Sequence, residues 1–163
     1  MLLNIRKIIE EPGEIPFSFE IDMSDVHFDS VHAFLSPLTV KGSVVNSAGV
    51  LTMDADLEIE SVFICDRCSS HYQTRKRLHA HAVLAQELQD EDNPDIYLLE
   101  GDNVNLTEII YTIFILNMET KSLCKEDCRG ICASCGKNLN EGACGCKPEP
   151  DPRLAVLKQL LNE

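Results

Sequence analysis

Apolar and polar residues alternate through the first half of the chain, with the period of two that marks half-buried β-strands. Residues 15–23 alternate between Pro and Gly boundaries, and residues 37–45 do so up to the turn signal Asn46-Ser47-Ala48-Gly49. A long strand is predicted over 51–64, with Leu51, Met53, Ala55, Leu57, Ile59 and Phe63 on one face. Residues 71–87 alternate again and place Tyr72, Leu78, Ala80, Ala82 and Leu84 together. An acidic loop over 89–94 and a short strand over 96–99 follow.

The period then changes. Leu106, Ile109, Ile110, Ile113 and Phe114 recur at helical spacing behind Asn105 and Glu108, which stand in capping-box positions. A helix is therefore expected near 106–117. Tyr111, Ile115 and Leu116 make its other side apolar too, so it is deeply buried or offers a second face to a partner. A last helix is expected after the Pro-rich joint at 147–150, capped by Asp151, with Pro152 in its first turn and Leu154, Leu157, Leu160 and Leu161 as its stripe. Together these elements predict an α+β fold in three parts. Residues 1–120 form an antiparallel β domain with the 106–117 helix, 121–147 a cysteine-rich segment, and 148–163 a carboxy-terminal helix packed on the domain.

If 51–64 and 71–87 are antiparallel partners closing at Cys65-Asp66-Arg67-Cys68, Cys65 faces Cys68. Glu58 then stands opposite Arg75, Asp56 opposite Arg77, and Asp54 near His79. Met53 lies by Ala80 and Leu51 by Ala82. Opposite charges share one face and apolar groups the other, with Lys76 opposite Leu57 as the misfit. Arg75 and Arg77 are thus expected either to neutralise the acidic row Asp54, Asp56, Glu58 and Glu60 or to contact RNA. His79 and His81 share a strand face, as surface residues or as metal ligands.

Length and charge narrow the classes. The 163 residues suffice for one domain with a small appendage. Residues 1–7 lack the apolar run of a signal peptide, and the stretch around 109–116 is too short to span a bilayer, so a soluble cytoplasmic protein is expected. The formal charge is −13 with cysteine counted neutral, which disfavours general nucleic-acid binding. Residues 78–120 hold no Lys or Arg. Basic residues gather near the cysteines instead. Arg67, Lys121, Lys125, Arg129 and Lys137 are the candidate RNA or partner contacts, or else compensate thiolate charge.

The candidate chemistry lies in eight cysteines set as four close pairs: Cys65/Cys68, Cys124/Cys128, Cys132/Cys135 and Cys144/Cys146. Two such pairs complete the tetrahedral sulfur shell that zinc takes, and eight thiols make two shells. In a reducing compartment, paired cysteines point to metal or redox work rather than disulfides. Cys132, Cys135, Cys144 and Cys146 close the shortest loop. That leaves Cys65 and Cys68 with Cys124 and Cys128, pinning the tail to the hairpin tip. The competing partition joins Cys65/Cys68 with Cys132/Cys135 and Cys124/Cys128 with Cys144/Cys146. Zinc is the expected metal; an iron–sulfur cluster uses the same ligand type, and unmetallated thiols are the bland option. Four sulfurs leave no open position, so the sites are expected to be structural. Neither a phosphate-binding Gly loop nor a nucleophile elbow is present, and no enzyme activity is expected.

The tip Cys65-Asp66-Arg67-Cys68, Leu123-Cys124, the run from Cys128 through Cys132-Ala-Ser-Cys135-Gly-Lys-Asn-Leu-Asn140, Cys144-Gly-Cys146 and Asp151-Pro152-Arg153-Leu154-Ala155 resemble the YceD family. These are bacterial and plastid large ribosomal RNA subunit accumulation proteins. The resemblance implies a non-enzymatic role in synthesis, processing or stability of large-subunit (23S) ribosomal RNA. The implied partner is a large ribosomal subunit precursor, through a ribosomal protein or the RNA. Neither a membrane nor a small-molecule substrate is expected. Two other classes compete: a thiol redox or metal-sensing protein, and a direct RNA-binding zinc module.

Overall fold

The computed structural model describes residues 1–87 and 96–146. Its elements run β1 (Leu2–Asn4), α1 (Arg6–Ile9), β2 (Gly13–Ile21), β3 (Val31–Phe34), β4 (Leu38–Ser47), β5 (Val50–Ile64), β6 (His71–Ala85), β7 (Ile96–Leu98), β8 (Asn103–Asn105) and α2 (Leu106–Leu116). Strands make up 47% and helices 11% of this structure, so the α+β expectation is overturned in favour of a mostly β fold. Among the described residues the helical content is α2 and the single turn of α1, while eight strands carry the rest of the regular structure. The expected carboxy-terminal helix at 148–163 and the acidic loop at 89–94 lie outside the described residues.

One sheet organises the chain in the order β2-β4-β5-β6-β7, with β3 paired to β5 beyond the end of β4. Alternation explains its two faces. Leu51, Met53, Ala55, Leu57, Ile59 and Phe63 of β5 are buried, as are Val40 and Val44 of β4 and Ala80 and Ala82 of β6. Gly42 lets β4 close on β5, because a Cβ there would stand 2.1 Å from the carbonyl oxygen of Asp54. The apolar face is covered by α2, whose Leu106, Ile109, Ile110 and Phe114 are buried. Its Ile115 and Leu116 stay exposed. Asn105 caps the helix, accepting from the amide of Glu108 at 3.5 Å. A small second ribbon pairs β1 with β8, and the buried Asn46 donates to the Ile8 carbonyl of α1 at 2.6 Å. Among the described residues, no helix is long and apolar enough to cross a membrane.

The β5–β6 hairpin corrects the predicted register by two residues. Glu60 lies opposite Arg75, Glu58 opposite Arg77, Asp56 opposite His79 and Asp54 opposite His81. Met53 meets Ala82 and Leu51 meets Leu84. The cause is at the tip. The last paired residues are Ile64 and His71, and Cys65–Ser70 forms a wider loop with Ser69 at φ 55°. An even slip preserves which face each side chain occupies, so the core and charged faces stand as predicted. Lys76 sits opposite Ile59 and pairs at 3.4 Å with Glu119, in the segment after α2.

Candidate metal centres

The hairpin tip presents two sulfurs on one side. Cys65 N donates to Ser70 O at 3.0 Å and Ser69 N to Cys65 O at 2.8 Å, which folds the loop around both cysteines. The segment after α2 runs back across this tip. Asp66 N donates to Ser122 O at 2.8 Å, and Ser122 N donates to the Asp66 carboxylate at 2.6 Å. The chain then delivers Cys124 and Cys128. Cys65 Sγ lies 3.7 Å from Cys128 Sγ, and Cys68 Sγ lies 3.7 Å from Cys124 Sγ. All four sulfurs lie within 4.8 Å of one another. A tetrahedral shell with zinc–sulfur bonds of about 2.3 Å has sulfur–sulfur edges of about 3.8 Å, whereas a disulfide requires about 2.05 Å. The donors and spacing therefore fit a metal ion. Cys65, Cys68 and Cys128 are buried.

The second cluster comprises Cys132, Cys135, Cys144 and Cys146, also within 4.8 Å of one another. Gly136, at φ 72°, turns the chain after Cys135, and its amide donates to Cys132 O at 2.8 Å. Cys132 N donates to Lys137 O at 2.9 Å. This centre is more open: Cys135 and Cys146 are exposed. The grouping is the short-loop partition; the competing partition of the two Cys-x-x-Cys pairs is not the one the structure brings together.

Electrostatics within each cluster favour a cation. Burial pushes the Cys65 thiol up, but amides of Cys124, Cys68 and Arg67 outweigh it and hold the group at about 6. Burial and hydrogen bonds with Cys68, Cys128 and Cys65 push Cys124 up to about 12. The Asn140 amide, which donates to Cys128 Sγ at 3.3 Å, holds the Cys128 thiol below its ordinary value. In the second cluster the amides of Cys135 and Ser134 hold Cys132 at about 6, while hydrogen bonds with Cys135 and Cys132 push Cys146 to about 12. The first thiolate formed thus opposes the others, and a bound dication relieves that conflict.

The basic residues prove largely occupied. Arg67 donates to the carbonyls of Cys128 at 3.0 Å and Glu126 at 3.4 Å. Lys125 faces Asp127 at 3.8 Å, and Lys137 Nζ donates to Ala143 O at 3.3 Å. Lys121 and Arg129 are exposed, and among the described residues their side chains have no ion-pair partner. Arg75 and Arg77 neutralise the acidic row: Arg75 pairs with Glu60 and Arg77 with Glu58, the latter at 2.8 Å. His81 lies 2.7 Å from Asp54 and His79 lies 3.0 Å from Asp56, on the exposed sheet face. Sequence reasoning missed Asp66 and Asn140. Asp66 carried no signal beyond its place between Cys65 and Cys68, and Asn140 read only as part of a turn.

A sequence model of one family, described as large ribosomal RNA subunit accumulation protein YceD, matches residues 53–161. The match takes in most of β5, all of β6 and α2 and both cysteine clusters and exceeds half of the 163 residues, so the chain belongs to the YceD family. Comparison with curated proteins gave no match, and comparison with solved structures gave none.

Proposed function

We propose that this chain is a non-enzymatic factor in the synthesis, processing or stability of large-subunit (23S) ribosomal RNA, held in shape by two structural zinc ions. Membership of the YceD family is the observation that carries the ribosomal part. The two four-sulfur clusters support the zinc part. Cys65, Cys68, Cys124 and Cys128 would hold one ion and Cys132, Cys135, Cys144 and Cys146 the other. The first ion would tie the tail to the hairpin and the second would close the tail on itself, and four sulfurs leave neither ion a coordination position for substrate.

The direct partner is read as a basic ribosomal protein of the large-subunit precursor, in the cytoplasm. A formal charge of −13 attracts such a protein and repels phosphate. Internal use of Arg67, Lys125 and Lys137 argues against a direct RNA-binding zinc module. The exposure of Cys135 and Cys146 is the observation that favours a thiol redox or metal-sensing role as the second reading.

Deleting the gene and measuring mature and precursor 23S RNA tests the proposal. Reduced or misprocessed 23S RNA is expected; normal large-subunit RNA overturns the ribosomal reading. Affinity capture with RNA sequencing and proteomics on one sample separates a protein partner from RNA.

A further inference from the structure

Asn140 belongs by sequence to one centre and by contact to the other. It lies in the loop between Cys135 and Cys144, yet its Nδ2 donates to Cys128 Sγ at 3.3 Å. We infer that Asn140 is a positioning residue through which closure of the second cysteine centre raises the metal affinity of the first. This rests on the reading of both clusters as metal centres.

The side chain is fixed from several directions. Its Oδ1 accepts from the amide of Arg129 at 3.0 Å. Asn138 Oδ1 accepts from Asn140 N at 3.0 Å and from Asn140 Nδ2 at 2.8 Å. Asn138 in turn donates to Ser70 Oγ, at the hairpin tip, at 3.2 Å. Nδ2 therefore uses one hydrogen on Asn138 and points the other at sulfur. This donor stabilises negative charge on Cys128, as an amide on any metal-bound thiolate does.

The loop that carries Asn140 owes its shape to the second centre. Lys137 O accepts from Cys132 N at 2.9 Å, and Leu139 N donates to Gly130 O at 2.9 Å. A metal joining Cys132 and Cys135 to Cys144 and Cys146 fixes both ends of residues 136–143. Without it the loop keeps its hydrogen bonds to Arg129, Gly130 and Ser70 but loses the tether at Cys144 and Cys146, and the donor leaves Cys128 more often. Outer hydrogen bonds of this kind are worth roughly 10- to 100-fold in metal affinity. Because coupling between two binding sites is reciprocal, metal in the first centre strengthens the second by the same factor.

The test uses the full chain, stripped of metal under reducing conditions and titrated with cobalt(II), with chelator competition. Cadmium NMR assigns each occupied centre. Four proteins are compared: wild type, Asn140→Leu, the pair Cys135→Ser with Cys146→Ser, and all three changes together. Loss of the second centre should lower first-centre affinity by roughly tenfold, Asn140→Leu by a similar factor, and the combination by no more than Asn140→Leu alone. Fully multiplicative effects, or unchanged affinity in Asn140→Leu, overturn the coupling. Asn140→Asp guards against a misfolded loop, since it keeps the acceptor for Arg129 N and loses the donor. It should weaken the first centre at least as much, and full affinity in that variant also overturns the coupling. A wild type that gives no tetrathiolate cobalt spectrum overturns the metal reading itself, and the coupling with it. Normal but independent sites overturn the coupling alone.

Discussion

Asp66 and Ser122 hydrogen-bond to each other twice, once through each backbone amide. The Asp66 amide donates to the Ser122 carbonyl at 2.8 Å, and the Ser122 amide donates to the Asp66 carboxylate at 2.6 Å. Ser122 is fully buried. The segment after α2 is thereby set on the hairpin tip two residues before Cys124, through contacts that involve no sulfur.

Replacing Asp66 with Ala strands the buried Ser122 N–H. The expected loss is about 1–3 kcal/mol in denaturant unfolding of the metal-loaded protein. Asp66→Asn keeps an acceptor oxygen and should lose less. Equal stability of the two variants would count against the carboxylate as anchor.

Metal removal should loosen the tail and spare the sheet. The buried residues form two separate clusters: Cys65, Cys68 and Cys128 make one, and the sheet, α1 and α2 make the other. Hydrogen exchange after chelation should show protection lost across 121–146 and the tip while β4 and the central part of β5 stay protected. Simultaneous loss throughout would mean that the metals hold the whole domain. The exposed Cys135 and Cys146 predict that the second centre empties first.

The faces of the sheet were legible because alternation records burial directly: every residue named for the apolar side of β5 is buried. The register was not, since it depends on how many residues the tip consumes, and Cys65–Ser70 spends more of them turning around two sulfurs than a tight hairpin does. The strand β3 was missed for another reason. Its four residues pair only with the upper end of β5, across a bulge between Val31 and Ala33, and so short a segment carries little periodic signal. The cysteine grouping was narrowed by loop length, but the side-chain hydrogen bonds linking the two clusters come from Asn138 and Asn140, whose direction is set by the tertiary fold. Lys76 looked misplaced because its partner, Glu119, is distant in sequence.

The exposed sheet face carries a small pH dependence. Hydrogen bonding to Asp56 raises the His79 pKa above its ordinary 6.5, against a weaker opposing effect of desolvation. A raised folded-state value contributes stability that is complete below the unfolded pKa and is lost as pH rises through the folded one. Both partners are exposed, so the contribution is under about 1 kcal/mol. The stability difference between wild type and His79→Gln should be larger at about pH 5.5 than at about pH 8.5. A difference independent of pH would show that the pair contributes nothing.

Gly130 and Gly136 allow conformational strain to be separated from crowding. Their φ angles are nearly equal, 74° and 72°. A Cβ at Gly136 meets nothing within 4 Å, whereas one at Gly130 stands 2.9 Å from the carbonyl oxygen of Arg67. That oxygen already accepts from Ile131 N at 3.1 Å, so it cannot withdraw without breaking the link between the tip and the second knuckle. Gly136→Ala should therefore lose only the left-handed penalty, about 1–2 kcal/mol. Gly130→Ala should lose that and about 1–3 kcal/mol more from crowding. Thermal unfolding of both metal-loaded variants checks the order, and equal losses would mean that the tip and knuckle separate at little cost.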